Sequence, residues 1–274
     1  MKAQQSSLRL VLFSLLALFA IGAPAQGQTA KSEFQPRVGQ AGKDVVWVPT
    51  PQALVDMMLD MAQATPSDYV MDLGSGDGRT VITAAKRGIR AHGIEYNLDM
   101  VELSKRNAAN EGVSDKATFA KADLYESDFS QATVITMFLL PEINLKLRPR
   151  LLALKPGTRI VSNTFTMGEW GPDESNSVDR DCFSWCTALF WIVPAKVEGT
   201  WKLADGELTL KQSYQMLSGT LKNSAGTTPI TGRLRGEQIT FSAGGKQYGG
   251  RVSGDAMSGS VLGAGNWQAR RGSN

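Results

Sequence analysis

The sequence predicts an open, doubly wound α/β sheet followed by a small all-β module, and three observations carry that prediction. Five apolar segments alternate with amphipathic helical segments between Tyr69 and Phe165, the rhythm of a parallel sheet with right-handed crossovers. The first of those strands runs into three glycines at alternate positions, Asp72-Leu73-Gly74-Ser75-Gly76-Asp77-Gly78. Glycine lacks a Cβ and tolerates φ > 0, so such a loop lets a ligand lie against bare backbone at the carboxyl end of a strand. After residue 198 the helical period stops; fifteen of the 28 glycines fall there, among short alternating runs.

In chain order, residues 1–25 read as a secretory signal. Lys2 and Arg9 form a positive n-region, Leu10 to Ile21 is apolar apart from Ser14, and Ala23-Pro24-Ala25 is a small-x-small cleavage site. The apolar run is shorter than the ~20 residues of a membrane-spanning helix. An exported, periplasmic protein with no stable membrane span after cleavage is therefore expected, an uncleaved N-terminal anchor being the other possibility. Without Lys2 and Arg9 the chain carries 27 basic against 26 acidic residues. That balance gives no electrostatic case for binding nucleic acid or an anionic membrane.

Residues 26–43 are polar with scattered Gly and Pro and read as a flexible lead. The first folded domain is expected over 44–195. Thr50-Pro51 reads as an N-cap with proline at the first helical position, and Leu54, Val55, Met58, Leu59 and Ala62 share one helical face. Trp47 precedes this helix, either as a closure over a ligand or as a core anchor. Strands are then expected at Tyr69–Leu73, Arg90–Tyr96, Ala117–Ala122, Thr133–Leu140 and Arg159–Phe165. Helices are expected at Arg79–Arg87, after Asn97 as N-cap, and at Glu142–Leu154. Residues 171–182 are polar and read as a loop, and Ala188–Val193 as a closing strand before Pro194.

Residues 196–274 read as a separate β-barrel-like module of about eight strands. Small-Gly steps at Ser218-Gly219, Thr231-Gly232 and Ser258-Gly259 would bend its strands, and Trp201 and Trp267 would plug it. No chemistry is legible in it. Cys182 and Cys186 are the only cysteines. On a strand they would stand ~13 Å apart, too far to bond, whereas a tight loop would let them meet; a bridge and two free buried thiols both remain open.

Three acidic features follow successive strand ends: Asp72 before the glycine loop, Glu95 closing the second strand, and Asp123 after the third. A carboxylate at the second strand end accepts both hydrogen bonds of a ribose diol, and one after the third accepts from an adenine amine. A dinucleotide loop would need glycine at position 79, which is Arg79, with the third glycine one place early at Gly78. No Gly-x4-Gly-Lys-Ser/Thr loop for a nucleoside triphosphate is present. His92 is the single histidine, placed within a strand where a structural role is expected; no Ser-His-Asp triad can be built without it, and no multi-histidine metal site at all.

These residues resemble the class I S-adenosylmethionine-dependent methyltransferases, which have a Rossmann-like seven-stranded sheet. Asp72 to Gly78 is similar to their first motif, Glu95 to the acidic residue closing their second strand and Asp123 to their adenine-side acid. The motif Asp72 to Arg79, with Gly93-Ile94-Glu95-Tyr96-Asn97, looks most like small protein-lysine methyltransferases; the stretch Leu154–Ser162 is similar to one in seven-strand histone-lysine methyltransferases. The resemblance implies S-adenosyl-L-methionine as cofactor. Gly74 and Gly76 would let the backbone approach its aminoacyl part, Asp72 would hold the loop or the ammonium, Glu95 would bind the ribose hydroxyls, and Asp123 with Leu124 would bracket the adenine; Ser75, Gly78 and Tyr96 are further cofactor-binding residues that the resemblance implies. Phe138-Leu139-Leu140-Pro141 would face the methyl group. Its apolar character, without an Asn/Asp-Pro-Pro-aromatic motif, argues against DNA bases and suits a protein lysine as methyl acceptor. No catalytic base stands out; Tyr96, Glu169 and Trp170 are substrate-side candidates. The alternative is an exported interaction protein with an inactive methyltransferase-like domain and the barrel as its working surface.

Overall fold

Apolar strand segments and amphipathic helices assemble as their alternation demands. The computed structural model describes residues 34–272 together with Met1; apart from Met1, the expected signal segment lies outside the described residues. The elements run α1 (Gln52–Met61), β1 (Tyr69–Leu73), α2 (Arg79–Lys86), β2 (Arg90–Glu95), α3 (Leu98–Asn110), β3 (Ala117–Lys121), β4 (Val134–Met137), α4 (Pro141–Leu151) and β5 (Arg159–Asn163). Then come β6 (Glu174–Ser177) and β7 (Thr187–Ile192). One sheet takes the order β3-β2-β1-β4-β5-β7-β6, with β1 to β5 parallel and the last two strands antiparallel. The order reverses between β1 and β4, the switch point where open α/β sheets hold ligands.

Each sheet face has its own apolar core. On one side Leu54, Val55 and Leu59 of α1 pack with Val81 and Ala84 of α2 and Val70 of β1. On the other, Leu73, Ile135, Leu147, Leu151 and Trp191 close together. The Asn97 side chain accepts from the backbone N–H groups of Asp99 (2.9 Å) and Met100 (3.3 Å), capping α3 as its sequence signals. Thr50 does not cap α1: the helix starts one residue later, with Pro51 as N-cap and no side-chain bond there. Thr50 is buried instead, its hydroxyl facing the Asn163 amide at 3.4 Å.

Two further corrections follow from the structure, and one open alternative is decided. Residues 37–43, expected within a flexible lead, fold with 44–47 into a hairpin, Gly39 N–H donating to Trp47 O (2.8 Å) and Trp47 N–H to Gln40 O (2.9 Å). Its partners in the site are distant in sequence, so local composition hid it. Part of the 171–182 loop is β6, an edge strand exposed at all four residues; with no face to bury, it shows no alternation. The loop after it is closed by a Cys182–Cys186 disulfide with a Cα–Cα separation of 5.8 Å.

The remaining strands are β8 (Gly199–Leu203), β9 (Gly206–Ser213), β10 (Met216–Asn223), β11 (Gly226–Arg235), β12 (Gln238–Ala243), β13 (Lys246–Ser253), β14 (Ala256–Val261) and β15 (Gly265–Arg271). They close into an antiparallel barrel. Trp201 is fully buried and Trp267 nearly so, packed with Leu208, Leu234, Ile239 and Phe241. The small-Gly steps lie where neighbouring strands press closest: a Cβ at Gly219 would stand 1.9 Å from Thr209 O, and one at Gly259 1.9 Å from Gly249 O. Pro229 and Gly232 lie within β11, which explains why that strand is hard to read from sequence.

Candidate active site

The carboxyl ends of β1, β2 and β4 open onto one cavity, and the hairpin 37–47 forms its far wall. β1 delivers the glycine loop. Gly74 N–H and Ser75 N–H both donate to Ile94 O (2.9 and 3.0 Å), fastening the loop to the end of β2. Gly74, Gly76 and Gly78 all have positive φ (79°, 54° and 82°), which other residues adopt only with strain. A Cβ on Gly74 would stand 2.9 Å from Leu139 Cδ2, and one on Gly76 2.6 Å from Trp47 Nε1. Bare backbone is therefore required at both.

Among the expected site residues, Asp72, Gly74, Ser75, Gly76, Glu95, Tyr96, Asp123 and Leu124 line this cavity. Gly78 does not: a Cβ there would meet Phe119 (2.8 Å) and Ser104 (2.9 Å), so its freedom serves the turn into α2. The Ser75 hydroxyl is buried without a hydrogen-bond partner and points at Gly93, where a Cβ would come within 2.5 Å of it; that contact requires a glycine inside β2. Glu169 is exposed. Trp170 is fully buried, stacked on Tyr214 at 6.2 Å, and so belongs to the core. His92 shares a 2.8 Å hydrogen bond with Thr118, and burial beside Arg90 lowers its pKa.

The carboxylates differ in environment. Asp72 is buried, and burial is the main cause raising its pKa to about 7, aided by Asp77 and Glu95 and opposed by hydrogen bonds from Thr136 and Thr80. The Thr136 hydroxyl donates to it at 2.7 Å. Glu95 accepts from Gly76 N–H (Oε2, 2.9 Å) and Asn97 N–H (Oε1, 2.9 Å). A carboxylate has about four acceptor positions, so two bonds leave room for a diol. Asp123 is ion-paired with Lys43 of the hairpin, whose hydrogen bond lowers the Asp123 pKa. The Lys43 ammonium lies 4.7 Å from the Tyr96 ring centre, so Tyr96, Asp123 and Lys43 form one corner.

The opposite wall comes from the ends of β4 and β5: Met137, Phe138, Leu139, Leu140, Ile143 and Phe165. It holds no ionisable group. Thr164, between Asn163 and Phe165, has φ +59°; this turn is pinned by Thr164 N–H to Thr187 O (2.7 Å) and by the Ser162 hydroxyl to Phe165 O (2.8 Å). Strain of this kind persists only where surrounding structure fixes it, and here it sets the Phe165 ring 5.9 Å from Phe138. Sequence reasoning missed Lys43, Phe165 and Trp185 as cavity residues; the paired cysteines flanking Trp185 were the one available signal.

A buried acidic end, a bare glycine floor and two further carboxylates, one closing β2 and one after β3, fit S-adenosylmethionine. Sheet order and cavity together define a class I S-adenosylmethionine-dependent methyltransferase. Residues 72–174 match the family model described as the ANTKMT methyltransferase domain. A protein-lysine N-methyltransferase of Saccharolobus islandicus (strain REY15A) is 44% identical over 138 residues, 49% of this chain and 86% of that protein. The adenine nucleotide translocase lysine N-methyltransferase of Mus musculus is 34% identical over 120 residues, covering 43% of this chain and 52% of that one. The crystal structure of an RNA methyltransferase from Salinibacter ruber, in complex with S-adenosyl-L-homocysteine, superposes with a TM-score of 0.51 at 45% identity, covering 55% of this chain and 96% of that one. The chain belongs to this family of S-adenosylmethionine-dependent methyltransferases. The match ends at residue 174, leaving the disulfide loop and the barrel outside it.

Proposed function

We propose that the protein transfers a methyl group to the side-chain amine of a protein lysine. The carrying observation is the wall formed by Phe138, Leu139, Leu140 and Phe165, which offers the acceptor no charge and no general base. Bound at the glycine loop, S-adenosylmethionine supplies an electrophilic methyl on a sulfonium. A lysine in water is less than ~0.1% neutral at pH 7. Apolar walls lower its pKa and expose the nitrogen lone pair, and alignment with desolvation supplies the acceleration. The lysine ammonium would first give its proton to water; the neutral nitrogen would then take the methyl as the carbon–sulfur bond breaks, S-adenosylhomocysteine would leave with the electron pair, and the methylated nitrogen would carry the positive charge.

In this reading Asp72 holds the cofactor ammonium, Gly74 and Gly76 its aminoacyl chain, Glu95 and Tyr96 the ribose, and Asp123 and Leu124 the adenine. The similarity to protein-lysine methyltransferases supports the lysine acceptor. The similarity to the Salinibacter ruber protein favours RNA as a second reading, against which stand the near-neutral charge and the Leu139-Leu140-Pro141 strand end. Incubation of the source organism's protein and RNA fractions with methyl-labelled cofactor decides between them. Label recovered as methyl-lysine after hydrolysis is expected; label only in nucleotides overturns the lysine reading. Export is proposed on the N-terminal sequence, supported by the disulfide, a bond that persists in oxidising compartments. A fusion to a reporter active only outside the cytoplasm should be active, and a silent fusion refutes export.

A further inference from the structure

The disulfide loop between β6 and β7 places a tryptophan at the mouth of the cavity. Cys182 and Cys186 enclose Phe183, Ser184 and Trp185. Val178 N–H donates to Cys186 O at 3.0 Å, continuing the β6–β7 ladder up to the bridge. Asp181 and Trp185 both have positive φ (55° and 56°), a conformation costly for non-glycine residues; Asp181 adjoins the closed ring and Trp185 lies within it. Its result is directional: the Trp185 ring lies 6.0 Å from Phe138, inclined at 58°, while Phe138 stacks on Phe165 at 5.9 Å. All three rings line the same cavity as Gly74 and Glu95. Trp185 remains 41% exposed, as a group at an entrance would be.

We propose that the Cys182–Cys186 loop is the acceptor-side wall of the active site, its Trp185 completing with Phe138 and Phe165 an aromatic collar that receives the lysine alkylammonium. The assignment rests on the lysine reading above. The rings strip water from the aliphatic stem, which favours the neutral amine for attack, and their quadrupoles attract the nitrogen once it carries charge. They also complement the positive charge that arrives on the acceptor nitrogen during transfer, the charge an active site gains most from stabilising. Trp185 is thus a positioning and specificity residue, and the disulfide is what aims it. The loop lies beyond the residues that the family model matches, whereas Phe138 and Phe165 lie within them. Reduction of the bridge would release the strained turn at Trp185 and open the collar.

The test uses the full chain, oxidised and saturated with S-adenosylhomocysteine, titrated calorimetrically with N-acetyl-trimethyllysine methylamide and with its neutral tert-butyl isostere. The wild type should bind the cation at least tenfold more tightly than the isostere. Trp185→Ala should lose tenfold or more in cation affinity and Trp185→Phe less than threefold. Cys182→Ser/Cys186→Ser, or dithiothreitol, should lose threefold or more. S-adenosylhomocysteine affinity should stay within twofold throughout, which excludes misfolding as the cause. Unchanged cation binding in Trp185→Ala, or equal binding of the isostere, overturns the proposal. If wild type yields no methyl-lysine in the fraction assay yet cation binding still depends on Trp185, the lysine reading fails while the collar stands as an alkylammonium site. If methyl-lysine forms and Trp185→Ala forms it equally well, the collar fails and the lysine reading stands.

Discussion

A carboxyl sealed at the end of β1, with Asp77 and Glu95 as neighbours, holds its proton well above the ordinary range, at about 7 for Asp72. In the proposed reading Asp72 holds the cofactor ammonium, which needs the ionised form. Affinity for S-adenosylmethionine is therefore expected to be constant above pH 7 and to fall below it, approaching tenfold per unit; Asp72→Asn should bind weakly with a flat profile in calorimetric titration. Stability runs the other way. Between the unfolded value of 3.8 and about 7 the native protein binds more protons than the unfolded chain, so unliganded stability falls as pH rises through that window. Asp72→Asn should raise the unliganded Tm at pH 8, by up to about 4 kcal/mol in stability, and leave it nearly unchanged at pH 4. The glycines divide similarly by neighbour. Gly76→Ala, whose Cβ would press on Trp47, should weaken cofactor binding more than tenfold. Gly78→Ala, pressing on Phe119 and Ser104, should instead cost about 1–3 kcal/mol of stability, read by urea unfolding.

At the scale of elements, the hairpin 37–47 is expected to be the part of the site that responds most to ligand. It touches the cavity through Lys43 and Trp47 and contributes no strand to the main sheet. Ligand bound between the hairpin and the glycine loop adds contacts to both, so backbone amides of 39–47 should exchange with deuterium more slowly when S-adenosylhomocysteine is added; β4 and β5, already central, should not change. Equal exchange in the hairpin with and without ligand would remove it from the site. The helices and parallel strands were legible in the sequence because burial imposes a pattern: β4 is buried at all four residues and reads as a nearly continuous apolar run, Thr136 being its one polar residue. The glycine loop and its three acids were legible because their chemistry is local to strand ends. Thr50 misled because a Ser/Thr-Pro pair marks a helix start without saying which residue caps it. Lys43 and Trp185 were hidden because their roles depend on partners 80 and 47 residues away, Asp123 and Phe138, and no local pattern encodes such distances.

Across the whole molecule, the barrel is anchored to the sheet by a junction that shares the sheet's core. Tyr214, before β10, packs into the apolar cluster of the sheet face with Trp170 and Trp191. The Gln215 amide donates to Gly171 O (2.8 Å), and Ala195 N–H to Gly236 O (2.9 Å). At the centre Asp173, 1% exposed in its side chain, accepts from Ile192 N–H (2.8 Å) and from the Arg233 guanidinium (2.5 Å). Removing Arg233 strands a buried carboxylate with one backbone donor, a more costly state than deleting both partners. Because Arg233 is 44% exposed, water compensates part of the loss, and Arg233→Ala is expected to cost about 1–3 kcal/mol. In calorimetry the wild type should unfold in one transition. Arg233→Ala combined with Tyr214→Ala should split it in two, while S-adenosylhomocysteine affinity stays within twofold, since neither residue lines the cavity. A single transition in the double variant would mean that the sheet and barrel are coupled by something other than this junction. The paired substitution Asp173→Asn/Arg233→Ala supplies the control: it removes the stranded charge, so it should recover part of the stability lost in Arg233→Ala alone.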